Sequence, residues 1–216
     1  MLKIIFAQTK ILLKFIEKSA GRVAGYDVFI RKNGAEIRTV TNNTGFFQLN
    51  LGNLNAGFDN GDIVFIEAQG EGTYYGQAYI MLAGGTATQS VPTISVAVDD
   101  VPPEMPVCRP SVTTNNNLAP VELHFTDIGS GPELNSLNIT SDGIPVIVNG
   151  VATNTLFDVQ SQFDSPNSLW LTLQPQNPYA HGTVIELDIS ISDKIGNEFL
   201  TTILFIVNLI APAITL

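Results

Sequence analysis

Two histidines, one cysteine and twenty carboxylates are the side chains of this 216-residue chain that could carry acid–base, nucleophilic or metal chemistry. His124 sits in a β-type run between Leu123 and Phe125, and His181 stands in a turn before Gly182. Neither lies in a nucleophile motif such as G-x-S-x-G, and Cys108 stands among prolines with no partner near it in sequence. Zinc needs three or four Cys, His or carboxylate ligands at a recognisable spacing, which one cysteine and two distant histidines do not supply. A carboxylate pair for glycoside hydrolysis is a matter of distance in space, and no spacing in the sequence points to one. The expectation is therefore no catalytic residue, no cofactor-binding residue, no defined metal ligand set and no enzyme.

Calcium is the strongest of the chemical options. Asp59, Asp62, Asp99, Asp100, Asp127, Asp142, Asp164 and Asp193 fall in turns or linkers, and hard cations take oxygen ligands from such loops. Asp99-Asp100 stands where one domain should give way to the next, but no D-x-D-x-D-G loop with a closing Glu is present. Asp and Asn also favour turns for backbone reasons alone, so Asp59-Asn60-Gly61-Asp62 reads first as a corner. Tyr74, Tyr75 and Tyr79 could stack on sugar rings, although a core role suits at least one of them, and Trp170 in "SLWLTL" is expected in a core.

The elements that must position these residues are strands. Val, Ile, Thr and Phe are abundant, charged residues make up 14% of the chain, and hydrophobic residues make up 44%. "YDVFIRKNGAEIRTV" is a hairpin around Asn33-Gly34, and Asn42-Asn43-Thr44-Gly45 is a second turn feeding Phe47, Leu49 and Leu51. The second half offers "VELHFTDI", "SLNIT", "IPVIVNG", "LWLTLQP", "TVIELDISISD" and "LTTILFIVN" as strands separated by Gly, Pro, Asn and Asp turns, a sandwich signature. In "TVIELDISISD", Ile185, Leu187, Ile189 and Ile191 share one parity, as a half-buried strand requires. Residues 1–18 suit either an amphipathic helix bearing Lys10, Lys14 and Lys18 or two β-rich runs, with strand favoured because the rest of the chain is β-patterned.

Four prolines between residues 99 and 110 mark a linker, and the charge balance changes there. Residues 1–98 carry 8 Lys/Arg against 7 Asp/Glu, whereas residues 99–216 carry 2 against 13, so the net −10 belongs to the second half. Such a surface repels nucleic acid and anionic membrane. The expected organisation is a β-sandwich over 1–98 that includes an N-terminal arm or first strands, a Pro-rich linker at 99–110, an acidic sandwich over 111–208 and an apolar arm at 209–216. A lone Cys108 forms no intramolecular disulfide, and Gln8, Thr9, Lys10 and Lys14 interrupt any secretory apolar stretch at the N-terminus. No run approaches the length of a membrane span.

The stretch from Ala24 to Ala68, with "T-x-x-x-G-x-F-x-x-x-L" and "N-G-D-x-I/V", resembles the carboxypeptidase-regulatory-like, or transthyretin-like, sandwich. "FTDIGSG", "HGTV" and "SDKIGNEF" resemble bacterial Ig-like domains that open with D-x-x-S-G and close with G-T-V and D-x-x-G-N. The resemblance implies two tandem Ig-like/transthyretin-like antiparallel β-sandwiches, all-β, of a kind strung together in bacteriophage tail, baseplate, neck and capsid-decoration proteins and in bacterial surface proteins. It implies a non-enzymatic virion protein, made in a host cytoplasm, with copies of itself and other virion proteins as partners. The alternative is a host-surface or glycan-binding adhesin module at the bacterial cell surface.

Overall fold

The computed structural model describes residues 11–18, 21–22, 24–32, 35–55, 57–70, 72–83, 88–153 and 156–209. The chain divides into two units, Met1–Asp99 and Asp100–Leu216, each all-β with its own core.

The first unit holds β1 (Ile11–Lys18), β2 (Gly21–Arg22), β3 (Asp27–Lys32), β4 (Ala35–Val40), β5 (Phe46–Asn50), β6 (Ile63–Gln69), β7 (Tyr74–Met81), β8 (Thr88–Ser90), β9 (Ile94–Ser95) and β10 (Ala97–Val98). One sheet runs β2-β1-β5, with β8 and β9 also on β1, and the other runs β10-β7-β6-β3-β4. Residues 11–18 are thus strand, not helix. The expected antiparallel order is incomplete, because β1 runs parallel to β8 and β9. Alternation places Val28, Ile30, Val64 and Ile66 inside against Phe47 and Leu49 of the facing sheet. The Asn42–Gly45 turn forms because the Asn42 side-chain oxygen accepts from the Thr44 and Phe46 N–H groups, at 2.9 and 3.1 Å. Asn33 and Gly34 lie outside the described residues, but Lys32 pairs with Ala35 across them.

The second unit holds β11 (Glu104–Arg109), β12 (Thr113–Thr114), β13 (Val121–Thr126), β14 (Asn138–Ser141), β15 (Ile144–Val148), β16 (Val151–Ala152), β17 (Phe157–Ser165), β18 (Ser168–Pro175), β19 (Val184–Ser192) and β20 (Glu198–Val207). A four-stranded sheet, β11-β13-β18-β17, faces a six-stranded sheet, β12-β20-β19-β14-β15-β16, in which β12 runs parallel to β20. Leu123, Phe125, Leu169 and Leu171 from one sheet meet Leu187, Ile189, Ile191 and Phe205 from the other in a core closed to solvent.

Three expectations need correction. Glu104–Arg109 is a strand, so the Pro-rich segment is not all linker; Pro106 is tolerated because β11 lies at a sheet edge. Phe157–Ser165 is a nine-residue strand that the pattern does not announce, since two Asp, two Gln and two Ser dilute its apolar positions. Trp170 is not in the core. Its neighbours Leu169 and Leu171 point inward, which turns Trp170 to the outer face, where it stacks on His124 across the strands with ring centroids 4.1 Å apart. The 210–216 part of the expected apolar arm lies outside the described residues, while Leu209 packs on the second core.

Burial pushes the Tyr179 phenol up to about 12, assisted by Asp142, and its hydroxyl has no hydrogen-bond partner. A raised acid favours its neutral form in the fold, so this contribution is whole below pH ~10 and is lost as pH rises towards the folded value. Urea midpoints of Tyr179→Phe should fall less than those of wild type across that window, and be equal or slightly higher at neutral pH. Leu187→Ala, which empties a fully buried site in the central β19, should cost the second unit about 2–5 kcal/mol in the same melts.

Candidate metal centre and the polar clusters

Asp127 follows β13, and Asp193 opens the turn between β19 and β20. In each case the sequence D-x-x-(S)-G builds a turn closed on its own aspartate. The Asp127 Oδ1 accepts from the N–H groups of Gly129 and Gly131, at 2.7 and 2.8 Å. The Asp193 Oδ1 accepts from Ile195, Gly196 and Asn197, at 3.0, 2.7 and 2.8 Å, and its Oδ2 accepts from the Asn197 side-chain amide at 2.7 Å. Glycine is required at Gly131, where φ is +86° and a Cβ would lie 2.1 Å from the Pro166 carbonyl oxygen.

The two turns are tied to each other. Pro132 forms a bridge with Asp193, the Lys194 N–H donates to the Gly131 carbonyl at 3.2 Å, and the Glu133 N–H donates to Ser192 at 2.9 Å. One carboxylate oxygen of Asp127 lies within 4.8 Å of one of Asp193, and both residues are buried. At an effective dielectric near 20, charges at that separation repel by about 3 kcal/mol per pair. Backbone donors offset part of this. An oxygen-only donor set of this kind suits a hard cation such as calcium and not zinc.

The other sequence candidates are dispersed. Asp59 and Asp62 form the expected corner: the Asp59 N–H donates to the Asp62 carboxylate at 2.8 Å, and the Asp62 N–H donates to the Asp59 carbonyl at 3.2 Å. Asp142 sits at positive φ in the β14–β15 turn, Asp164 is exposed near the end of β17, and Asp100 is exposed. What the sequence reading missed is the approach of Asp127 to Asp193, although each is an aspartate that opens a glycine turn.

The histidines serve the framework. His124 Nε2 shares a hydrogen bond with the Ser168 hydroxyl at 2.8 Å, and His181 Nδ1 accepts from the Leu209 N–H at 3.0 Å. Burial raises the Cys108 thiol, which makes it a poorer nucleophile. On the outer face of the first unit, Arg31 pairs with the buried Glu67 at 2.8 Å and lies over the Phe29 ring at 4.4 Å. Burial, together with neighbouring Glu67, holds the Tyr75 phenol far above its ordinary range. Tyr74 packs edge-on to Tyr26 beside the core, while Tyr79 is exposed next to Phe65.

No protein-family model and no curated protein matches the chain. Solved structures to which it is similar include a chain of the complex of Dpr2 Ig1-Ig2 with DIP-Theta Ig1-Ig3, at 10% identity and a TM-score of 0.35, covering 89% of this chain and 60% of that one. Others are a chimeric titin Z1Z2 tandem, at 15% identity and a TM-score of 0.33 over 94% of this chain and 96% of that one, and BcpA, the major pilin subunit of Bacillus cereus, at 10% and 0.30 over 92% and 69%. The all-β sandwich assignment rests on the strands and sheets themselves.

Asp193→Ala leaves three backbone N–H groups of the turn without their acceptor and should cost about 3–5 kcal/mol in urea melts, whereas Asp193→Asn, which keeps one oxygen, should cost less. Repeating the wild-type and Asp127→Asn melts in chelator and in about 1 mM CaCl2 reads the carboxylates directly. A calcium shift that the variant loses marks a bound cation, and superimposed curves mark turn closure alone.

Proposed function

We propose that the chain is a non-enzymatic structural protein of an assembled particle, a bacteriophage virion component of the tail, baseplate, neck or capsid decoration. The observation that carries this reading is how the reactive side chains are used. His124, His181, Asp127 and Asp193 all hold turns, strands or chain ends of the scaffold. The virion assignment itself draws on the tandem module resemblance of the two halves. Its mechanism is geometric: two sandwich units present strand edges and outer sheet faces for protein–protein contact.

A second reading, a glycan-binding or adhesin module, is favoured by one surface. A shallow groove of about 440 Å³ crosses the outer face of β14, β19 and β20, lined by Asn138, Thr140, Asp188, Ser190, Leu200 and Thr202. Asp188 accepts from the Thr202 hydroxyl there, at 2.6 Å, so the groove offers hydroxyl and carboxylate groups beside an exposed aliphatic side chain.

Peptides of this chain should appear in gradient-purified particles from the source culture at stoichiometric abundance by mass spectrometry. Their absence from particles, together with recovery in the cell-surface fraction, overturns the virion reading. A glycan array probed with the full chain should stay blank; binding that Asp188→Ala abolishes moves the assignment to the second reading.

A further inference from the structure

Among the described residues, three of the four strands that end the sheets of the second unit are short or interrupted, and the fourth is β17. β20 also has a free side up to Ile206, where β12 begins to pair with it. β12 and β16 end the six-stranded sheet and are two residues each. β11 ends the four-stranded sheet and carries Pro106 with a register shift between Glu104 and Val107. Short length, proline and bulges are the devices by which edges avoid pairing with other chains. β17 has a register shift only near its end, between Phe163 and Ser165. It is nine residues long, has neither Pro nor Lys, and pairs on one side only, with β18.

The sequence of this edge reads nearly the same in both directions about Ser161: Asp158-Val159-Gln160-Ser161-Gln162-Phe163-Asp164. A two-fold contact requires a surface complementary to itself, and an antiparallel pair of identical strands centred on one residue provides it. Phe163 adds a second indication. It lies on the same strand face as Phe157, which is buried, yet Phe163 is 43% exposed.

We propose that the free edge of β17 is a self-association surface, on which a second copy of this chain pairs antiparallel about Ser161. This deepens the structural reading and rests on it. Gln160 then faces the partner's Gln162, an amide pair able to hydrogen-bond, and Phe163 covers the partner's Val159 on the inner face. The two four-stranded sheets become one eight-stranded sheet across the axis. Asp158 faces the partner's Asp164 at each end of the paired segment, which opposes association at low salt. Contact limited to one strand edge falls in the weak, transient class, suited to repeated copies held at high local concentration.

Sedimentation equilibrium of the full chain up to about 1 mM tests this. Wild type should form dimers more strongly at about 0.5 M than at about 0.05 M NaCl. Gln160→Glu/Gln162→Glu places like charges opposite each other and should weaken the dimer at least tenfold. Gln160→Lys/Gln162→Glu places opposite charges across the axis and should restore or tighten it. All these positions are exposed, so melting curves should match wild type. A monomer at every concentration and salt, or a dimer indifferent to both double variants, overturns the proposal. A chain that dimerises this way but is missing from particles refutes only the virion reading, and a monomer found in particles refutes only the edge pairing.

Discussion

Two aspartates that gather the backbone of their own turns hold the second unit together at one end. Asp127 follows β13 of the four-stranded sheet and Asp193 follows β19 of the six-stranded one, and each commits a carboxylate oxygen to the N–H groups of the loop it begins. Because the two turns also pair with each other, the sheets cannot slide at this end without breaking the backbone hydrogen bonds between them. The core layers of Leu, Ile and Phe then pack in a fixed register. Charge is being used here as backbone chemistry.

That division explains which features are legible in the sequence. Strands buried on one face reveal themselves, because Ile185, Leu187, Ile189 and Ile191 must all point the same way to enter the core. Turns are equally plain, since the glycines after Asp127 and Asp193 adopt φ values of +86° and +99°. Trp170 misleads because size and apolarity suggest interior, whereas the side of a strand is decided by its neighbours: Leu169 and Leu171 claim the interior and leave it outside. β17 escapes notice because an edge strand buries little and its composition is free to be polar. The approach of Asp127 to Asp193 joins residues far apart in sequence, which only tertiary structure reveals.

The outer faces differ in character between the units. The first presents Ile63, Phe65, Tyr79 and Met81 on adjacent strands, beside an Arg31–Glu67 pair. The second is acidic and hydroxyl-rich over β14, β19 and β20, with Leu200, Leu204 and Ile206 exposed among those groups. One unit thus offers aromatic and thioether contact, of the kind enriched at protein interfaces, and the other a wetter surface. Between otherwise similar sandwiches, specificity of contact has to come from such surface differences, because the cores are alike.

The stack of His124 on Trp170 also makes the protein its own optical probe. Trp170 is the sole indole in the chain, so tryptophan emission has a single origin, and an imidazole lies parallel to it at 4.1 Å. The emission of the folded chain therefore reports the surroundings of one sheet face of the second unit, and a partner that covers the face changes that signal without any attached dye.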